Sequence, residues 1–314
     1  MRAVAKFKFL VRRKAIIVGS AGQDGRLLAA HLAARDYAIV GVSRSSHDIS
    51  NPAQVQALVR EFAPDEIYYL AAYHHSAEAK QEAAEGELLG RSYAINVVGL
   101  GYFLHAVLEN KRECGVFYAS SSHVFAGGSL EPLDEESSRQ PVSIYALTKQ
   151  AGMQLCAFYR AQHGLRASTG ILFNHESPFR ASTFLSKQIA MAAARISCTG
   201  EGELVVGTTE AVVDWGAAKD FVDAMHQVLQ LPQGDDFVIA TGHPHTVADF
   251  ARTAFEHVGL DYLKYLRIIP SKVTRPAATR IGNPAKLTRV TGWRACTDFR
   301  EMVENLVDFE LAAL

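Results

Sequence analysis

The sequence predicts an α/β protein built on a doubly wound parallel sheet, with a smaller lobe formed by the C-terminal part of the chain. Three observations carry that prediction. Short, wholly apolar runs alternate with segments of helical periodicity, the pattern of strands buried on both faces. The first of these runs leads directly into a glycine-rich turn that opens a helix. After about Asn174 the alternation loosens, and one further apolar run returns at 237–241 (FVIAT).

Taken in order, Lys14–Val18 (KAIIV) is the first strand, residues 26–35 a helix, and Ala38–Val42 a second strand, which together make one strand–helix–strand unit. Pro52–Phe62 has helical spacing, 66–71 (EIYYLA) is the next strand, and 88–109 is a long helix. The strand 115–119 (GVFYA) ends in a serine cluster, 145–163 is helical, and 167–173 (ASTGILF) is a strand. Beyond it, helices are predicted over 183–195, 220–230, 246–258 and 298–311. Residues 14–174 thus form the sheet domain, rejoined by the strand at 237–241, and residues 175–314 form mainly the second lobe. No internal repeat or low-complexity segment is present.

Composition excludes several functional classes. Of 314 residues, 48% are hydrophobic and 21% charged, with 32 basic and 33 acidic side chains and a net charge of −1. That balance is ordinary for a globular protein and offers neither a nucleic-acid tail nor a polybasic membrane anchor. Cys114, Cys156, Cys198 and Cys296 are scattered, which argues against a disulfide framework or a metal cluster and suits a reducing cytoplasm. No apolar run is long enough to span a membrane. The start, MRAVAKFKFLVRR, is basic with a short interrupted apolar stretch, and reads as an extension leading into the first strand. The histidines are read as loop or supporting residues, because neither His74-His75 nor His243/His245 has metal-ligand spacing.

The glycine turn is Gly19-Ser-Ala-Gly22-Gln23-Asp24-Gly25. Glycines are needed where the chain turns tightly and its backbone must approach a pyrophosphate, with the N–H groups of the next helix aimed at the phosphates. Alone the pattern is weak; between a strand and a helix it indicates a Rossmann-type dinucleotide site. The second strand ends in Val42-Ser43-Arg44-Ser45. A carboxylate there would bind a ribose 2′-hydroxyl, whereas Arg44 suits a 2′-phosphate, so the cofactor expected is NADP. Asp48 and Ile49 are then expected near the adenine.

Ser121 closes the GVFYA strand and its serine cluster, and Tyr145-Ala-Leu-Thr-Lys149 opens a helix. Tyrosine and lysine at i and i+4 share one helix face. A lysine ammonium beside a phenol is expected to lower the phenol pKa, so that the tyrosine exchanges a proton at neutral pH while the serine holds the reacting oxygen. A nicotinamide across the site would complete a hydride-transfer centre. Glu135-Glu136, in the stretch before Tyr145, are read as a solvated loop bordering the pocket.

With the glycine turn upstream, this set resembles the short-chain dehydrogenase/reductase superfamily in its extended, sugar-nucleotide branch. The closer resemblance is to the GDP-mannose 4,6-dehydratase family, through VGSAGQDG, PDEIYYLAA, GILFNHESP, VDWGAAKDFVDAM and DDFVIATG. The resemblance implies a Rossmann domain with a small C-terminal substrate lobe. It also implies an internal redox cycle on a nucleotide sugar: hydride leaves sugar C4, water is lost across C5–C6, and hydride returns to C6. Tyr145 would be the base at the C4 hydroxyl, tuned by Lys149, with Ser121 in place of a family threonine. Leu70, Ala71, Ala72, Tyr93, His175 and Arg180 would line NADP. Asn174, Glu176, Lys187 and Arg275 would lie near the nucleotide-sugar diphosphate. A homodimer or homotetramer is implied, with 88–109 and 145–163 pairing across the interface, and so is a role in deoxysugar biosynthesis.

The chain departs from the family at three places. Where the dehydratases carry a glutamate for the elimination, this chain has His123, which either takes over the acid/base work or packs beside the nicotinamide with the elimination lost. In the second case the same site would be a nucleotide-sugar C4 reductase, dehydrogenase or epimerase. The link from Arg44 to Asp48 is unusually short, which bears on assembly. Val212-Val213 stand where the family has basic residues before Asp214-Trp215-Gly216, so a diphosphate contact is expected to be missing. A non-catalytic NADP-binding sensor is a third reading, against which the intact Ser121/Tyr145/Lys149 set speaks.

Overall fold

The structure is a computed structural model that describes residues 12–73, 84–128, 130–272 and 279–314. His74, His75 and Arg275 therefore lie outside the described residues.

Chain order is β1 (Lys14–Val18), α1 (Gln23–Ala33), β2 (Ala38–Val42), α2 (Pro52–Phe62), β3 (Glu66–Tyr69), α3 (Glu85–Tyr93), a π-helical turn (Ala94–Val98), α4 (Gly99–Asn110), β4 (Gly115–Ser121), α5 (Ile144–His163), β5 (Ala167–Leu172), β6 (Asn174–Glu176) and α6 (Leu185–Thr199). There follow β7 (Leu204–Val206), β8 (Val212–Ala217), α7 (Ala218–Gln230), β9 (Asp236–Ile239), β10 (Pro244–Thr246), α8 (Val247–His257), β11 (Leu266–Ile268), α9 (Ala285–Thr291) and α10 (Phe299–Ala312). The main sheet has six strands in the order β2-β1-β3-β4-β5-β9, all parallel. From β1 the chain first steps outward to β2 and then back past it to β3. Such a reversal opens a crevice at the carboxyl ends of the strands, where ligands of this architecture bind.

Apolar sequence on both sides of each strand follows from helices covering both faces. Ile16, Tyr69 and Tyr118 pack under α2, α4 and α5, whereas Ile17, Tyr68 and Phe117 pack against α1, α7 and α9. Full burial of each such side chain contributes about 1.5–3 kcal/mol relative to exposure. A third core joins α6, α8 and α10 to β7 and β8 and forms the smaller lobe. Its small sheet has the order β10-β8-β6, and β11 pairs with β7. Among the described residues no helix is long and apolar enough to cross a membrane.

Several predicted elements differ in extent. The long helix begins at Glu85 and is interrupted by the π turn, which helical periodicity does not reveal. The short strands β6, β7, β8, β10 and β11 escape prediction because three to six residues carry too little alternation. Helices α7 and α9, both beyond residue 175, cover the main sheet, so its layers draw on chain from either side of that point. Glu135 is not solvated: it is 9% exposed, and its carboxylate accepts the Val238 N–H at 2.7 Å, holding the returning strand β9.

Candidate active site

A cleft of about 1290 Å³ opens at the carboxyl ends of the main strands, between the sheet and the smaller lobe. Single small ligands occupy roughly 300–1,000 Å³, so this space suits two ligands side by side. It is lined by the glycine turn, Arg44, Leu70 and Ala72, by Ser121, His123, Tyr145 and Lys149, and by Asn174, Glu176, Val213, Trp215 and Arg280.

The glycine turn is built from backbone because side chains do not fit. Gly19 has φ +93°, and a Cβ on it would stand 2.8 Å from the Ala71 nitrogen. A Cβ on Gly25 would fall 2.4 Å from the Gly19 carbonyl oxygen and 2.6 Å from Ser20 Cα. Gly22 is the N-cap of α1 and brings no side chain to its first N–H groups. By contrast α2 is capped by Asn51, α5 by Ser143 and α8 by a Thr246–Asp249 capping box. An uncapped helix N-terminus at a glycine turn is a ready anion site.

The end of β4 and the start of α5 bring the chemistry together. Ser121 Oγ accepts the His123 N–H at 3.3 Å, and its own hydroxyl is hydrogen-bonded to the Tyr145 phenol, favouring the phenolate. His123 stands edge-on to Tyr145, ring centroids 6.1 Å apart at 80°. Lys149 is 1% exposed; its ammonium donates to the Ala119 carbonyl at 2.7 Å and lies 5.7 Å from the Tyr145 ring centre. Burial pushes Lys149 down to about 7, opposed only by the Asp24 charge. The expectation that Lys149 lowers the Tyr145 pKa is corrected here: burial pushes the phenol up to about 12, opposed by Ser121 and by the Arg180 charge. A lysine that is itself half neutral near pH 7 offers the phenol only part of a cation.

Asn96, in the π turn, braces this helix and was missed from sequence. Its amide donates to Thr148 Oγ1 at 2.9 Å and accepts the Tyr73 N–H at 2.9 Å, while its carbonyl accepts the Tyr118 hydroxyl at 3.0 Å. Thr148 in turn donates to the Tyr145 carbonyl at 2.9 Å. The π turn is the device that aims Asn96, and such turns recur at functional sites.

Beside the glycine turn, His175 Nε2 lies 3.0 and 3.1 Å from the two Asp24 carboxylate oxygens, and His175 Nδ1 lies 2.7 Å from the Phe173 carbonyl. The imidazole stacks on Phe221 of α7 at 4.6 Å. Arg180 pairs with Glu176 at 3.2 Å and lies 3.7 Å over the Phe184 ring, and the buried Glu176 also accepts from Ser186 at 2.7 Å. Arg44 reaches the cleft from its exposed position after β2.

Other predicted residues stand elsewhere. Asp48 is exposed and caps its own turn through Ser50 N at 2.9 Å, and Ile49 packs against the core beside Gly99; neither lines the cleft. Ala71 lies behind Gly19, and Tyr93 is likewise outside the lining. Lys187 is tied to Glu310 of α10 and donates to the Pro178 carbonyl at 2.8 Å, which leaves it outside the lining too. Arg280, which no sequence signal marks, does line the cleft. It forms a β-bridge with Val213, and its Nε donates to the Phe125 carbonyl at 3.2 Å. The buried Asp214 carboxylate accepts from Gly242 and Gly282 N–H at 3.0 Å each and so holds the Arg280 segment in place.

This fold and this site define an extended short-chain dehydrogenase/reductase. The chain belongs to the GDP-mannose 4,6-dehydratase family, whose family model matches residues 45–306. It is 31% identical to GDP-mannose 4,6 dehydratase 2 of Arabidopsis thaliana, over 96% of this chain and 87% of that protein. It is 30% identical to the GDP-mannose 4,6-dehydratase of Yersinia enterocolitica, over 95% and 94%. Among solved structures, RMD from Pseudomonas aeruginosa complexed with NADPH superposes with a TM-score of 0.83 at 21% identity, covering 96% of this chain and 99% of that one. The UDP-glucose 4-epimerase of Thermus thermophilus in complex with NAD gives 0.81 at 21% identity, covering 96% and 100%.

Proposed function

We propose that the protein is an NADP-dependent nucleotide-sugar 4,6-dehydratase acting on GDP-mannose or a related GDP-sugar, giving the 4-keto-6-deoxy sugar. The observation that carries this reading is the Ser121–Tyr145–His123 cluster over Lys149, lining a cleft sized for two ligands, in a chain of this family.

The residues present fit a dinucleotide. The turn at Gly19 and Gly25 leaves no room for a Cβ and leads into the N-terminus of α1, which has no side-chain cap, and Arg44 supplies a cation for a 2′-phosphate. The chemistry such a cofactor supplies is reversible hydride exchange, which lets the sugar be oxidised at C4 and re-reduced at C6 in one turnover. Tyr145 acts as the phenolate, which the Ser121 hydroxyl stabilises; it takes the C4 hydroxyl proton and becomes the neutral phenol. His123 takes the C5 proton, made acidic by the C4 ketone, and returns it to the departing C6 hydroxyl, so one water leaves; the hydride then added at C6 is matched by a proton at C5, which balances the one Tyr145 took. Tyr145 and His123 can serve one sugar ring because they stand against one another. Arg280 and Asn174, which line the same cleft, hold the diphosphate.

A dimer or tetramer is supported by apolar side chains left exposed on the helices flanking this site, Val98, Leu147 and Phe158. One observation favours a second reading: an imidazole, not a carboxylate, stands beside Tyr145, which suits a nucleotide-sugar C4 reductase or epimerase lacking the elimination. The test is incubation of the protein with GDP-mannose and catalytic NADP, followed by mass spectrometry. A product lighter by one water supports the dehydratase. An unchanged mass, with NADPH consumed by a 4-keto sugar nucleotide, replaces it with the reductase.

A further inference from the structure

We propose that Asp24 and His175 form a charge-neutral couple that sets cofactor affinity: His175 is a positioning residue that cancels a carboxylate built into the phosphate-binding turn. The inference rests on the cofactor reading above and goes beyond residue-by-residue contacts with a dinucleotide.

Asp24 is the second residue of α1; it lines the cleft at a helix N-terminus that has no side-chain cap. A bare carboxylate there would compete with a pyrophosphate for the helix N-terminus and repel it. The geometry removes that charge. A backbone carbonyl only accepts, so the 2.7 Å contact to Phe173 places a proton on His175 Nδ1. The Asp24 carboxylate then receives its proton contact from Nε2, at 3.0 and 3.1 Å from its two oxygens. Whichever partner holds that second proton, the couple carries no net charge. Burial opposes charge on both groups, while their mutual attraction lowers Asp24 and raises His175, which favours the imidazolium–carboxylate form. Gln23 locks the couple by donating to Asp24 Oδ1 at 3.2 Å and to the His175 carbonyl at 3.0 Å.

The other charged and titratable groups around the couple do not replace His175. Arg180 acts on both partners and is itself paired with Glu176. Lys149 and Tyr145 of α5 interact with Asp24 only at longer range. From α7 the neighbour is the uncharged ring of Phe221, which fixes the imidazole plane.

The test is a double-mutant cycle on the full chain at neutral pH, reading the dissociation constant of NADPH by its fluorescence and the unfolding temperature of the cofactor-free protein. His175→Gln leaves Asp24 uncompensated, and affinity falls about ten-fold or more. Asp24→Asn alone keeps a neutral pair, since the asparagine amide donates to a neutral His175, and affinity stays within about three-fold of wild type. The double variant Asp24→Asn/His175→Gln is again neutral and recovers the affinity lost in His175→Gln. A histidine that matters only for packing gives no such recovery. Loss of affinity in Asp24→Asn, or failure of the double variant to recover, overturns the proposal. Should His175→Gln not fold, nitrogen-15 and carboxyl carbon-13 NMR of the cofactor-free wild type decides: a second proton on His175 Nε2, on Asp24 or shared between them is required, and an unprotonated Nε2 beside an ionised Asp24 contradicts it. Wild-type protein that binds neither NADPH nor NADH sinks the cofactor reading itself, a result distinct from binding that ignores the charge of the couple.

Discussion

Ser121 is oriented by the residue two positions after it: its oxygen accepts the His123 N–H, and its hydroxyl bonds the Tyr145 phenol. The tight turn at the end of β4 therefore fixes three side chains of the site at once. Replacing Ser121 with alanine removes a hydrogen bond to a group that must become anionic. Such bonds contribute about 1.5–3 kcal/mol, so kcat falls roughly 10- to 100-fold. Tyr145→Phe removes the proton acceptor itself and lowers kcat by roughly 10²–10⁴. Steady-state kinetics alongside unfolding curves check both; an active Tyr145→Phe enzyme contradicts the assigned role.

Lys149 imposes a pH dependence on stability. Its pKa falls from 10.5 to about 7 on burial, so between those values the unfolded chain binds the extra proton. Stability then rises with pH by up to about 1.4 kcal/mol per unit from that residue, and the cost is full below pH 7. Lys149→Met is expected to abolish this slope. Urea unfolding of both proteins at pH 7, 8.5 and 9.5 measures the difference between them; parallel stability curves would show that Lys149 stays protonated in the fold.

Gly25→Ala places a methyl group 2.4 Å from the Gly19 carbonyl, with backbone on both sides and no flexible side chain to yield. The turn must open, at a cost of about 1–3 kcal/mol in stability, with cofactor affinity falling alongside. Calorimetry paired with an NADPH titration tests it, and unchanged affinity would remove the turn from the cofactor site.

Arg280→Ala is predicted to raise the KM for the nucleotide sugar by roughly 10- to 100-fold, in line with losing a charge-assisted hydrogen bond, and to leave NADPH affinity unchanged. Inhibition by GDP should weaken in parallel, while inhibition by guanosine should not. Equal weakening of both would place Arg280 away from the diphosphate.

The sheet was legible in the sequence because its strands are buried on both faces and read as unbroken apolar runs; β1, β2 and α2 have their predicted limits. The Ser121, Tyr145 and Lys149 cluster was legible because helical spacing and strand ends fix side-chain direction. Lys187 was not, because its pairing with Glu310 joins residues far apart in the chain. Nor was Arg280, whose arrival beside Val213 depends on Asp214 capturing a loop from the C-terminal third. The sign of the Tyr145 shift was misread for a related reason: burial, which no spacing reports, outweighs the opposing Ser121 hydrogen bond and Arg180 charge.

The most direct test of the internal redox cycle follows the hydrogen on sugar C4. GDP-mannose carrying deuterium at C4 is incubated with the protein and catalytic unlabelled NADP, and the product is read by mass spectrometry and NMR. The expected product is a sugar nucleotide lighter by one water that retains the deuterium, now on C6, with no net change in NADPH. Deuterium still on C4 of an intact sugar, or accumulating on the free cofactor, would contradict it.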